Sequence, residues 1–212
     1  MPMMPRSLLW NRTDVPGADH VLLDDRRGLL ARGVALAVDP LPYTCRYEVT
    51  TDETWATVRM EVSVEGAGWL RSIRLERAAG RWRASTAEQG DLDAALAAVG
   101  KPPAGIPGIE EAHRLADALD VDLGGAPLFN TLPVRRLGLR AATPGAVHRL
   151  TVAWVLVPSL VVVPSEQVYT VLEGGNVRFA DNGFDAELRL DQDGYVVDYP
   201  GLAERVGTEV RR

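Results

Sequence analysis

The sequence predicts a mainly β, antiparallel protein with one short helical insertion. Apolar residues recur at every second position through much of the chain, Gly-containing turns separate these runs at short intervals, and only 91–119 changes to helical spacing. At 212 residues such a chain is read as a single domain, 1–212, because all-β units of this length are common.

Residues 43–51 place Tyr43, Cys45, Tyr47 and Val49 on one face. Residues 55–65 place Ala56, Val58, Met60, Val62 and Val64 together, opposite Thr57, Arg59, Glu61 and Ser63. In 184–190, Phe184, Ala186, Leu188 and Leu190 share a face. Further strands are expected near 20–24, 29–38, 69–78, 81–85, 132–140, 147–157, 160–164, 166–173, 177–180 and 195–199. Ala79-Gly80, Gly174-Gly175-Asn176 and Asp193-Gly194 supply the positive φ that hairpin turns need. A helix is expected over 91–100, capped by Asp91 and stopped by Gly100, with a second over 109–119 after a Pro/Gly linker. A faint echo between 43–77 and 167–199 is no more than any meander produces.

Hydrophobic residues make up 46% and charged residues 25%, the balance of a globular protein. Net charge of -6 argues against nucleic acid and anionic membrane surfaces, which both require a basic face. Lys101 is the one lysine among 23 basic residues, a bias with no functional content. Cys45 is the only cysteine and fits a reducing compartment. The apolar part of Met1–Trp10 is too brief for a signal-peptide core, and the run Thr151–Pro164 is broken by prolines and too short to span a bilayer. A cytoplasmic location is the expectation.

The densest polar stretch in apolar surroundings is Asp120–Leu137, which holds Asp120, Asp122, Asn130, Arg135 and Arg136. Read as strands, Asp120 and Asp122 share a face while Arg135 and Arg136 diverge, so one arginine enters the interior. There it needs a carboxylate, since an unpaired buried charge is costly. An Asp–Arg bridge that pins the loop 124–133 is slightly favoured over a ligand anchor. Asp120-x-Asp122 lacks the further oxygen ligands of a cation site, and Asp191-Gln-Asp193-Gly194 is explained by a hairpin, so no metal or cofactor is expected. His20, His113 and His148 form no ligand spacing, no Gly-x-Ser-x-Gly elbow is present, and no catalytic residue is assigned. Trp55, Gln167 and Tyr169 fall on mixed faces, where amphipathic rings suit a ligand wall.

The stretch Asp120-Val-Asp-Leu…Asn130-Thr-Leu-Pro-Val-Arg-Arg-Leu137 resembles the signature of the putative glycolipid-binding family of bacterial proteins, long known as a domain of unknown function. Tyr47-x-Val49-x-x-Asp52-x-x-Trp55-x-Thr57, Ala153-Trp154…Pro158-x-Leu160, Gln167-x-Tyr169 and Phe184…Leu188…Asp191…Gly194…Tyr199-Pro200 follow in order and extend the likeness over nearly the whole chain. The resemblance implies a curved sheet forming a β-roll or half-barrel, a concave face like that of bacterial lipid carriers, and no known catalytic residues. On this basis a glycolipid or similar amphiphile is the expected partner. Trp55, Asn130, Arg135, Trp154, Gln167 and Tyr169 are the candidate contacts, with Asp120, Asp122 and Arg136 as a supporting network. The insertion 91–119 and Gly124-Gly125 depart from the family pattern. The alternatives are an enzyme of a small hydrophobic metabolite that uses a buried Asp/Arg pair, and a structural module, including a homodimer joined along an edge strand or the insertion.

Overall fold

The computed structural model describes residues 6–207, so Met1–Pro5, half of the stretch weighed as a signal peptide, lies outside them. Strands β1 (Arg6–Arg12), β2 (Gly17–Asp24), β3 (Leu30–Ala37), β4 (Tyr43–Thr51), β5 (Thr57–Gly66), β6 (Trp69–Ala78) and β7 (Arg81–Gly90) form an antiparallel meander. The helix α1 (Leu92–Ala98) and the short strands β8 (Gly108–Ile109) and β9 (Val121–Leu123) follow, then the helix α2 (Thr131–Arg136). A second meander comprises β10 (Val147–Val155), β11 (Val161–Val171), β12 (Val177–Asp181), β13 (Phe184–Leu190), β14 (Val196–Tyr199) and β15 (Ala203–Arg205). β1 pairs with β15, which joins the two meanders into one continuous sheet running from β7 to β9, not closed into a barrel. Among the strands of the described residues, β8 and β9 pair in parallel, with β11 and β10.

Strand alternation fixes which faces are buried. In β4, Cys45, Tyr47, Val49 and Thr51 point inward. In β13 the inward face is Ala186, Leu188 and Leu190, with Phe184 at its open end. Burial holds the Cys45 proton tightly, at a pKa pushed up to about 12, so this thiol is an apolar core group. Trp10 is fully buried and donates its indole N–H to the Val196 carbonyl at 2.9 Å, tying β1 to β14.

Four expectations are corrected. Val58 is 44% exposed instead of inward, because the β4–β5 register slips at Thr50/Thr51 and this bulge turns Thr57 inward in its place. The strand expected at 132–140 is α2 followed by a 3-10 turn, Leu139–Ala141. Pro133 accounts for this, since it lacks the N–H an interior strand must donate yet fits the first turn of a helix. The helix expected at 109–119 reduces to β8 and one 3-10 turn, Ala112–Leu115. Its backbone groups bond outward instead: Gly108 N–H to Leu160, Glu110 N–H to Val162, and the Leu119 carbonyl to Thr57 N–H. The strands expected at 160–164 and 166–173 are one strand, β11, and Pro164 falls between the stretches that pair with β8 and with β12. The Asp91 cap on α1 holds, accepting from Ala94 N–H at 2.8 Å, and no helix among the described residues is long and apolar enough to cross a membrane.

Residues 126–134 are all buried and lie between the two meanders. Phe129 meets Tyr47 of β4 at 5.4 Å between ring centroids, and Asn130 bonds Tyr169 of β11. The hollow expected along the concave face is therefore filled by the chain itself, and open space remains only at its margin. Tight packing also reaches β3, where a Cβ on Gly33 would stand 2.0 Å from the Tyr47 ring, whose hydroxyl donates to buried Asp19 at 2.9 Å. Gly33→Ala should cost about 1–3 kcal/mol through overpacking. Urea denaturation reads this, and an unchanged midpoint contradicts the close packing.

Candidate functional site

The site is assembled by β9–β12. Parallel pairing sets Asp122 of β9 beside Trp154 of β10, and antiparallel pairing sets Asp181 at the end of β12 beside Gln167 of β11. On β11, Ser165, Gln167 and Tyr169 alternate onto one buried face. The buried segment 126–134, a plug between the meanders, brings Asn130 to this face. A hydrogen-bond chain results: Asn130 Nδ2 donates to Tyr169 Oη at 2.9 Å, Tyr169 Oη donates to Gln167 Oε1 at 3.2 Å, and Gln167 Nε2 donates to Asp122 Oδ2 at 2.7 Å. Ser165 Oγ donates to Asp181 Oδ2 at 2.7 Å, while Asp181 Oδ1 is buried without a partner.

Of these groups Asp122, Asn130 and Asp181 border a cleft of ≈320 Å³. Asp122, Asn130, Asp181 and Asn182 supply its polar side; Trp154, Phe179, Phe184 and Tyr199 supply its aromatic side. Phe184 is 42% exposed at the mouth and packs on Phe179 and Tyr199 at 6.3 and 5.9 Å. The volume lies near the lower end of small-molecule sites, about 300–1,000 Å³. A larger groove, ≈620 Å³, runs over the solvent face of β3–β7. Its charges pair with one another, as in Arg32–Glu48 at 2.7 Å and Arg74–Glu61 at 3.4 Å, in exposed bridges that contribute little.

Electrostatics single out Asp122. Burial pushes its pKa up to about 7, opposed by the Gln167 hydrogen bond and reinforced by the charge of Asp181. Burial also raises Asp181, partly offset by Ser165. Asp120 differs: its carboxylate, 1% exposed, is bridged by Arg136 Nε at 3.1 Å and by Nη2 at 2.5 Å. Burial still outweighs Arg136 and raises the Asp120 pKa.

Of the residues singled out in the sequence, Asn130 and Trp154 line the cleft, Gln167 and Tyr169 stand behind it in the hydrogen-bond chain, and Asp122 forms its floor. Arg136 is the arginine that turns inward. Trp55 and Arg135 sit elsewhere: Trp55 occupies a turn at φ 71 beneath the Arg135 guanidinium, 4.3 Å above the ring, and Arg135 donates to the Asp193 carbonyl at 2.7 Å. Asp181, Phe179 and Tyr199 were not singled out as site residues. The available signal was Asp181 ending a strand on the same face as Val177 and Phe179, a carboxylate in line with apolar neighbours. No group of three or more His, Cys, Asp or Glu among the described residues is placed to hold a metal ion.

Fold and cleft define a mainly β protein built on one open antiparallel sheet, plugged by its own chain and leaving a small cleft of mixed polarity. The chain belongs to the putative glycolipid-binding family, whose pattern it matches over residues 7–205. Among solved structures it is similar to a DUF1089 family protein from Pseudomonas aeruginosa, with a TM-score of 0.67 and 24% identity, covering 89% of this chain and 92% of the other. That likeness shows a shared fold. No curated protein matches the chain.

Arg136→Ala should destabilise the fold by about 3 kcal/mol, the low end for breaking a buried pair, because Arg136 keeps 16% exposure. Calorimetric melting checks this, and a loss near zero contradicts the pinning role. For Asp122 the folded pKa lies above the unfolded value, so its contribution is full below about pH 4 and is lost as pH rises through about 7. Asp122→Asn should therefore flatten that part of the stability–pH curve and be the more stable protein at pH 8. An unchanged curve would show that the carboxyl is not held out of water.

Proposed function

We propose that the protein binds the head group of a glycolipid or similar amphiphile in the ≈320 Å³ cleft, without chemistry on it. The observation that carries this reading is the opposition, across one small cleft, of four aromatic side chains and two partly buried carboxylates. Rings that offer an apolar face beside fixed hydrogen-bonding groups suit a ligand that is itself two-sided. Family membership supports the same ligand class. The cleft has room for a head group and not for a long acyl chain, which would leave over exposed Phe184. In this reading Asn130, Trp154, Asp122 and Asp181 touch the ligand, Gln167 and Tyr169 orient Asn130 and Asp122 from behind, and Trp55, Arg135 and the Asp120–Arg136 pair maintain the fold.

A second reading has one observation in its favour. Asp122 meets Gln167 and not an arginine, and its proton affinity near neutrality suits an acid or base. The buried Asp/Arg pair of the enzyme alternative is instead Asp120–Arg136, away from the cleft's lining.

Native mass spectrometry of protein purified from cells, before and after delipidation, tests binding directly. A mass difference matching an amphiphile is expected, and identical masses count against it. Calorimetric titration with a neutral alkyl hexoside, below micelle-forming concentration, should show saturable binding that Trp154→Ala weakens by about five- to tenfold, the worth of one aromatic contact. Equal affinity in the variant places the ligand elsewhere.

A further inference from the structure

We infer that the cleft selects head groups that bring hydrogen-bond donors and no negative charge, a neutral hydroxyl-bearing ring above all, and rejects phosphate, sulfate and carboxylate heads. This rests on the binding reading above and adds the chemistry of the ligand.

Two features carry it. The first is the direction of the hydrogen bonds. The chain of donors runs from Asn130 through Tyr169 and Gln167 and ends on Asp122, and Ser165 likewise spends its hydroxyl on Asp181. The donors of Asn130, Tyr169, Gln167 and Ser165 are thus directed at the protein's own acceptors, whereas Asp181 Oδ1 is a buried acceptor still lacking a donor. A sugar hydroxyl supplies one, and an anionic oxygen cannot.

The second feature is the absence of any cation in the lining, which contains no arginine or lysine. Asp122 is faced by Asp181 and Asp120, with Tyr169 and Tyr199 also near it. The basic groups close by are committed: Arg136 is bound to Asp120, and Arg12, which reaches the Gly125 carbonyl at 3.3 Å, is held by Asp14 at 2.6 Å. A second anion placed among these carboxylates meets only like charge in a partly desolvated space. The aromatic side has no such preference. Its ring faces take the apolar face of a sugar whatever that sugar carries, so charge discrimination falls to the carboxylates.

The test pairs an alkyl glucoside with the alkyl glucuronide of the same chain length, titrated into the full chain by calorimetry at pH 8 and pH 5.5. The glucoside should bind about tenfold or more tightly than the glucuronide at pH 8, the size of a modest like-charge penalty. The gap should narrow at pH 5.5, where Asp122 is protonated and the glucuronide is still ionised. Asp122→Asn/Asp181→Asn should narrow it at pH 8. The glucoside binding no more tightly than the glucuronide overturns this inference and leaves the binding reading intact. Binding of neither ligand removes both. A gap that is the same at both pH values also overturns it, with no variant required.

Discussion

The structure depends on burying one polar-bearing segment, 126–134, between the two halves of a single sheet. An open sheet of this extent has an apolar face that water must not reach, and here the chain covers that face with itself. Phe129 against Tyr47 engages the first meander, Asn130 on Tyr169 engages the second, and Arg136 on Asp120 locks the segment's exit to its entry. The first two contacts are made by neighbouring residues, so the plug cannot leave one meander without straining its hold on the other. The cleft exists because the plug is finite: where it enters beside β9, Asn130 and the carboxylates of β9 and β12 face a space no side chain fills.

The same residue types behave differently in the two concavities. Over β3–β7, arginine and glutamate alternate across strands in water, where each pair contributes little. At the plug's margin, carboxylates are withdrawn from water, meet amide and hydroxyl donors instead of guanidinium groups, and hold protons to near neutral pH in the case of Asp122. Size alone would not favour the cleft. Unmet hydrogen-bonding capacity favours the cleft.

Much of the sheet was legible because burial on one face writes itself as alternation: Cys45, Tyr47 and Val49, or Ala186, Leu188 and Leu190, need no tertiary knowledge. What failed was decided by distant partners. The 109–119 stretch has a helical stripe, yet β11 and Thr57 take its backbone bonds. Residues 132–140 look strand-like in composition, and Pro133 was the local clue that they are not. Trp55 lies in a turn whose φ of 71 no alternation count could supply, which moves it under Arg135. Asn130 and Trp154 could be picked out on polarity and family pattern, whereas Asp181 reaches the cleft only through the pairing of β12 with β11. Gly125, a departure from the family pattern, has a local reason: at φ +80, any Cβ there would stand 2.1 Å from the Arg12 guanidinium.

The most direct test of the central claim is to map where a neutral alkyl hexoside touches the protein, by amide and indole NMR shift changes across a titration. The account predicts perturbations confined to 122–126, Asn130, the Trp154 indole N–H and 179–184. Perturbations centred on the Arg32–Glu48–Arg74 face of β3–β7, with those positions silent, would contradict it.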